Sequence, residues 1–91
     1  MIKGIRHKGL KRFAATGDAR KLSVQKSDRI RRQLVQLDAA TKPEDLNLPG
    51  YRFHGLAGKP KRYAIDVSEN WRMTFGWDGE NVIDIDLEDY H

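Results

Sequence analysis

The sequence closes on Glu88-Asp89-Tyr90-His91, which sets carboxylates, a phenol and an imidazole side by side. Before them, Val82-Ile83-Asp84-Ile85-Asp86-Leu87 alternates apolar and acidic side chains, the pattern of a half-buried strand. Such a strand ties down a segment that would otherwise fray, and so holds three proton-handling groups in place. Two earlier strand-like segments carry His54 and Arg72. Together these five residues form a set able to cut RNA without a metal. In that reaction the 2′-hydroxyl attacks the adjoining phosphorus, a base takes its proton, and an acid protonates the departing 5′-oxygen. Histidine suits both proton roles because imidazole titrates near neutral pH. Arginine suits the charge that builds on the phosphoryl oxygens, since its fork pairs with phosphate and stays protonated. His54, His91 and Arg72 are the candidates for these three tasks. Tyr90 is a candidate hydrogen-bond donor or base stacker, and Asp89 an orienting carboxylate.

Each residue also has a plainer reading. His54 on a strand could be an ordinary surface histidine, and Tyr90 a packing aromatic. Arg72 could simply pair with Asp84, Asp86 or Glu88 across a sheet. A histidine at a chain end, such as His91, is commonly frayed. His7 falls at the start of a helix, away from the other candidates, and reads as structural. The three histidines show no metal-ligand spacing, although Asp84, Asp86 and Glu88 at alternate positions could weakly collect a cation.

The elements that must position these groups follow from hydrophobic spacing. Residues 1–6 read as a short first strand. Leu10, Phe13 and Ala14 recur at helical spacing over residues 8–16, and Gly17 is placed to end that helix. Ile30, Leu34 and Leu37 mark a second helix, with Ser23 a candidate cap, fading near Ala40 before Pro43. Residues 42–50, with two prolines and a glycine, form a connecting loop. Beyond Gly50 the period becomes alternating: Tyr51–His54, Arg62–Val67, Trp71–Phe75 and residues 81–88 read as strands. Asp78-Gly79 marks the last hairpin turn.

Successive strand side chains point to opposite faces. One face collects Tyr51, Phe53, Tyr63, Ile65, Val67, Trp71, Met73, Phe75, Ile83, Ile85 and Leu87, a core to be covered by the helices. The other collects Arg52, His54, Arg62, Arg72, Thr74, Asp84, Asp86, Glu88 and Tyr90, an exposed polar face. Strict phase puts Asp89 and His91 on the first side. The expected fold class is α+β, a small twisted antiparallel sheet with two N-terminal helices on one face.

At 91 residues the chain is a single domain, residues 1–91, large enough for one small core. It has no cysteine, which excludes disulfides and thiolate metal sites. No apolar run approaches the ~20 residues of a membrane span, so a soluble cytoplasmic protein is expected. The net charge of +4 conceals a strong asymmetry. Residues 1–77 hold all 17 Lys and Arg against seven acids, whereas residues 78–91 hold six acids and no Lys or Arg. A body this basic attracts polyanions.

Several segments in the same order resemble the HigB branch of the RelE-like toxins. They are Met1-Ile2-Lys3, His7-Lys8-Gly9-Leu10-Lys11, Leu37-Asp38-Ala39-Ala40-Thr41, Leu46-Asn47, Phe53-His54-Gly55-Leu56 with Gly58, Asn70-Trp71-Arg72-Met73-Thr74-Phe75, and the terminal Glu88-Asp89-Tyr90-His91. The resemblance implies an mRNA interferase, the toxin of a bacterial type II toxin–antitoxin pair, that enters the 70S ribosome and cleaves the translated message. It implies no cofactor, active residues at His54, Arg72, Asp89, Tyr90 and His91, and a HigA-like antitoxin. Operator DNA would be reached only through that antitoxin. Relatives often carry a basic residue where this chain has Ala57, so Lys59, Lys61 or Arg62 is the candidate for that phosphate contact, and Arg52 is a further candidate RNA contact. The alternative functional reading is a basic nucleic-acid- or ribosome-binding module without catalysis. A second is a RelE-like scaffold used only to bind protein.

Overall fold

The computed structural model describes residues 1–22 and 24–89. Helix α1 spans Lys8–Thr16 and buries Gly9, Leu10 and Phe13. His7 caps its start, its Nδ1 accepting from the Leu10 N–H at 3.0 Å. Gly17 ends it in the left-handed region at φ 77°, the N–H of this glycine donating to the Phe13 carbonyl. Helix α2 spans Ser27–Ala39 and buries Ile30, Gln33, Leu34 and Leu37. Its cap position is Lys26, which makes no side-chain cap bond. Ser23, expected as the cap, therefore precedes the helix by four residues and itself lies outside the described residues. Between α2 and the sheet, Pro43–Leu46 forms one 3-10 turn whose Leu46 is fully buried.

Four strands follow: β1 His54–Leu56, β2 Arg62–Asp66, β3 Trp71–Trp77 and β4 Val82–Asp89. They pair antiparallel in sequence order, β1-β2-β3-β4. The architecture is the α+β one expected from the pattern. Leu10, Phe13, Ile30, Leu34 and Leu37 from the helices meet Ile65, Val67, Met73, Phe75, Ile85 and Leu87 from the sheet in one buried cluster. Removing that apolar area from water is the main driving force for the fold. Phe53 and Tyr63 stack at 5.7 Å, and Tyr63 stacks on Phe75 at the same separation.

Three local expectations need correction. Strand β1 begins at His54 rather than Tyr51, because Arg52 sits in the left-handed region at φ 49° and breaks the extended run. Residues 1–6 make two isolated parallel bridges to β4, Ile2 with Val82 and Ile5 with Ile85, instead of a continuous strand. The interruption lies at a bulge, where β3 supplies one residue, Phe75, between Thr74 and Gly76 while β4 supplies two, Asp84 and Ile85. Asp84 takes φ 51°, a left-handed conformation that aspartate tolerates better than most residues. The bulge flips the phase of β4. Val82 is fully buried in place of Ile83, which lies opposite Gly76 and is half-buried. Among the described residues no helix is long and apolar enough to cross a membrane.

Candidate active site on the polar sheet face

Pairing register assembles the polar face in rows. His54, Ala64, Thr74 and Asp86 lie across from one another on successive strands. A second row holds Asp66, Arg72 and Glu88, and a third holds Leu56, Arg62, Gly76 and Ile83. Strands stand ~4.8 Å apart and residues rise ~3.3 Å, so the His54 and Arg72 backbones are roughly 12 Å apart on this one face. That separation leaves room for a phosphodiester between the two side chains.

His54 is exposed, and its Nδ1 lies 2.8 Å from the Arg52 carbonyl oxygen. A carbonyl only accepts, so Nδ1 is the donor, and in the neutral ring Nε2 is then the acceptor. The left-handed turn at Arg52 is what brings that carbonyl back toward the ring two residues on. Local backbone geometry thus sets the tautomer a general base requires.

The centre of the face is a connected polar network. The Thr74 hydroxyl donates to Glu88 Oε2, while Arg62 Nη2 donates to Thr74 Oγ1 at 2.9 Å. Arg62 Nη2 also donates to the Asp84 carbonyl at 2.8 Å. That carbonyl belongs to the bulge, where the ladder is disrupted, and Gly76 lies between Arg62 and Ile83 in the row beside it, where a Cβ would meet the Ile83 side chain at 3.1 Å. Burial pulls the Arg62 guanidinium below its ordinary range; the like charge of Arg6 adds to this, and Glu88, Asp84 and Asp86 oppose it. Glu88 Oε1 faces Arg72 Nη2 at 3.7 Å, and Arg6 Nη2 faces Asp84 Oδ2 at 3.7 Å. Thr74, expected on an exposed face, has no accessible surface, because the long side chains of its neighbours fold over it.

The expected site residues are thus only partly gathered. His54, Arg62 and Arg72 share the face, and of the three acids proposed for Arg72 it is Glu88 that stands directly opposite. Arg62 is committed to Thr74 and the bulge. Arg52 turns its side chain to Asp66, Nε to Oδ2 at 3.7 Å. Lys59 is exposed in the loop between β1 and β2. Lys61 lies on the other side of the sheet: its Nζ is 5.7 Å from the Tyr63 ring centre and donates to the Leu56 carbonyl. Asp89 pairs with Trp71 and so follows the core-side phase, as the alternation indicated. Tyr90 and His91 lie outside the described residues. Among the described residues no three His, Asp or Glu group as metal ligands; Asp84 and Glu88, two of the suggested trio, are taken up by arginines. Thr74 and Glu88 were visible in the sequence as members of this face, but nothing local marked them as bonded partners.

Comparison with known proteins adds to this geometry. Residues 3–91 match the family of HigB-like toxins, described as the RelE-like toxin of the type II toxin–antitoxin system HigB. This chain belongs to that family. The HigB-like chain is also 38% identical, over the full length of both sequences, to a Proteus vulgaris protein named endoribonuclease HigB. The match covers the helices that bury one side of the sheet and the strands that carry His54, Arg72 and Glu88, so it includes the scaffold and the polar face together.

Proposed function

We propose that this HigB-like chain is an endoribonuclease that inhibits translation by cleaving mRNA on the ribosome. The observation that carries the reading is the pairing of an exposed imidazole, His54, whose Nε2 is left as an acceptor, with the Arg72 guanidinium on one polar face. The full-length similarity to a relative named for endoribonuclease activity supports it.

In the proposed mechanism His54 and His91 share the base and acid roles. Arg72 stabilises charge on the scissile phosphate, and Asp89 and Tyr90 orient the cut site. The chemistry needs no metal, and the products carry a 2′,3′-cyclic phosphate (or a 3′-phosphate) and a 5′-hydroxyl. Of the candidate RNA contacts, Arg52 and Lys59 are exposed near His54 in sequence, whereas Arg62 and Lys61 serve mainly to hold the sheet. As a type II toxin the protein would be held in check in the cytoplasm by a HigA-like antitoxin, through which alone it would meet operator DNA.

The test is a cell-free translation reaction with purified protein, mapping mRNA ends by primer extension. A variant lacking only His91 and a ribosome-free control run alongside. Cuts that need ribosomes and fade without His91 are expected. Intact message with translation still blocked would replace this reading with a binding module, and 5′-phosphate ends with strict Mg²⁺ dependence would defeat the mechanism.

A further inference from the structure

We propose that Glu88, anchored by the buried Thr74 hydroxyl, is a positioning residue that aims Arg72 at the scissile phosphate, an inference that rests on the endoribonuclease reading. The direction of each hydrogen bond is fixed by chemistry. A guanidinium only donates, so Arg62 Nη2 must give its hydrogen to Thr74 Oγ1. The single hydroxyl hydrogen of Thr74 is then left for Glu88 Oε2. One carboxylate oxygen is thereby anchored to a side chain with no exposure at all, and the other, Oε1, faces Arg72 Nη2 at 3.7 Å.

Several features argue that this chain of contacts serves Arg72 rather than stability. Arg72 and Glu88 are directly opposed in the β3–β4 ladder, and both keep part of their side chains in solvent, 25% and 36%. A pair this long and partly open to solvent makes only a modest contribution to folding. Its other effect is on conformational freedom: an unrestrained arginine loses rotamer entropy when it is fixed against the charge that builds on the phosphate in the transition state, and prior orientation lessens that loss. At 3.7 Å the contact is a loose ion pair rather than a close hydrogen bond, so it biases the position of the guanidinium electrostatically. The anchor itself is fully buried. Thr74 lies within the four-strand row that begins with His54, so the same row holds His54 and the anchor of the residue that aims the cation.

The experiment measures cleavage kinetics of Thr74→Val, Glu88→Gln and Thr74→Ser in the wild-type and Arg72→Ala backgrounds. It also records the Arg72 guanidinium resonances by NMR in the full chain, assigned with Arg72→Lys. Expected are a loss of about tenfold in kcat with KM unchanged for Thr74→Val and Glu88→Gln, restoration by Thr74→Ser, and no additional loss when Arg72 is already alanine. Arg72 resonances that are separate in the wild type, through hindered rotation, should merge in Thr74→Val and Glu88→Gln. Losses that add fully in the Arg72→Ala background, or Arg72 resonances unchanged by both substitutions, would overturn the proposal. A wild type that cleaves nothing would defeat the endoribonuclease reading, and the NMR comparison would still decide whether Glu88 and Thr74 orient Arg72.

Discussion

Gly9 offers a prediction in which helix propensity and tertiary packing demand opposite signs. It is the second residue of α1, where alanine is intrinsically preferred over glycine by up to about 1 kcal/mol. Yet a Cβ placed there would lie 2.0 Å from the Lys21 carbonyl oxygen, 2.6 Å from its carbon and 3.1 Å from His7 Cε1. Carbon and oxygen without a bond between them approach to about 3.3 Å, so the main chain at Lys21 or the first turn of α1 must retreat by roughly 1.3 Å. Moving that turn also disturbs the His7 cap on the Leu10 N–H. Overpacking costs about 1–3 kcal/mol and a lost cap about 1 kcal/mol, against a gain of at most about 1. The balance for Gly9→Ala is a destabilisation of about 2 kcal/mol. For a domain of this size that lowers the thermal midpoint by roughly 8–16 °C. Circular dichroism melts of the purified chain measure it directly. An unchanged or raised midpoint would refute the reasoning, because it would mean that the Lys21 backbone does not lie against α1 in solution.

Three further outcomes are expected. Gln33 is fully buried, and its amide nitrogen donates to the Asp66 carbonyl at 2.7 Å, while its Oε1 finds no partner among the described residues. Arg29 also donates to that carbonyl, so Gln33→Met should fall within about 1 kcal/mol of wild type in denaturant melts, and Gln33→Glu should lose several; equal losses would contradict this account. Arg52→Gly keeps the left-handed turn whose carbonyl accepts from His54, whereas Arg52→Pro fixes φ near −65° and abolishes it. Cleavage should therefore fall by about a hundredfold only in the proline variant, the scale of a lost general base, and a comparable fall in both would point to the Arg52 side chain instead. The third concerns acid. Asp18 is held well below the usual carboxylate range by hydrogen bonds from the Arg20 and Arg12 side chains, Asp45 is lowered by the Thr41 N–H, and Asp78 by the N–H groups of Glu80 and Asn81. Folded values below the unfolded one give stability that is complete above the unfolded pKa of about 3.9 and is lost as pH falls through the folded values. The denaturation midpoint should fall below about pH 4, less steeply in Asp18→Asn/Asp78→Asn; an identical acid limb would show that these carboxylates do not control it.

What the sequence alone determined is whatever repeats locally. Leu10 and Phe13, then Ile30, Leu34 and Leu37, mark two helices because a buried helical stripe must recur every three to four residues. Gly17 ends the first helix in the left-handed region as its position indicated. Period-two alternation placed His54, Arg62, Thr74, Arg72 and Glu88 on one face, and the segments around His54, Arg72 and the terminus carried the family resemblance. Only the tertiary structure decided which of these residues touch. The β4 bulge exists because two residues there oppose the single Phe75 of β3, a non-local mismatch that leaves no mark on the alternation of β4 itself. It buries Val82 in place of Ile83 and frees the Asp84 carbonyl that draws Arg62 inward. From that follows the difference between a row of exposed polar residues and a buried hydroxyl with a carboxylate and two arginines around it. A strand's own pattern can tell a side chain which face to take, but the partner it finds there is set by the register of its neighbours.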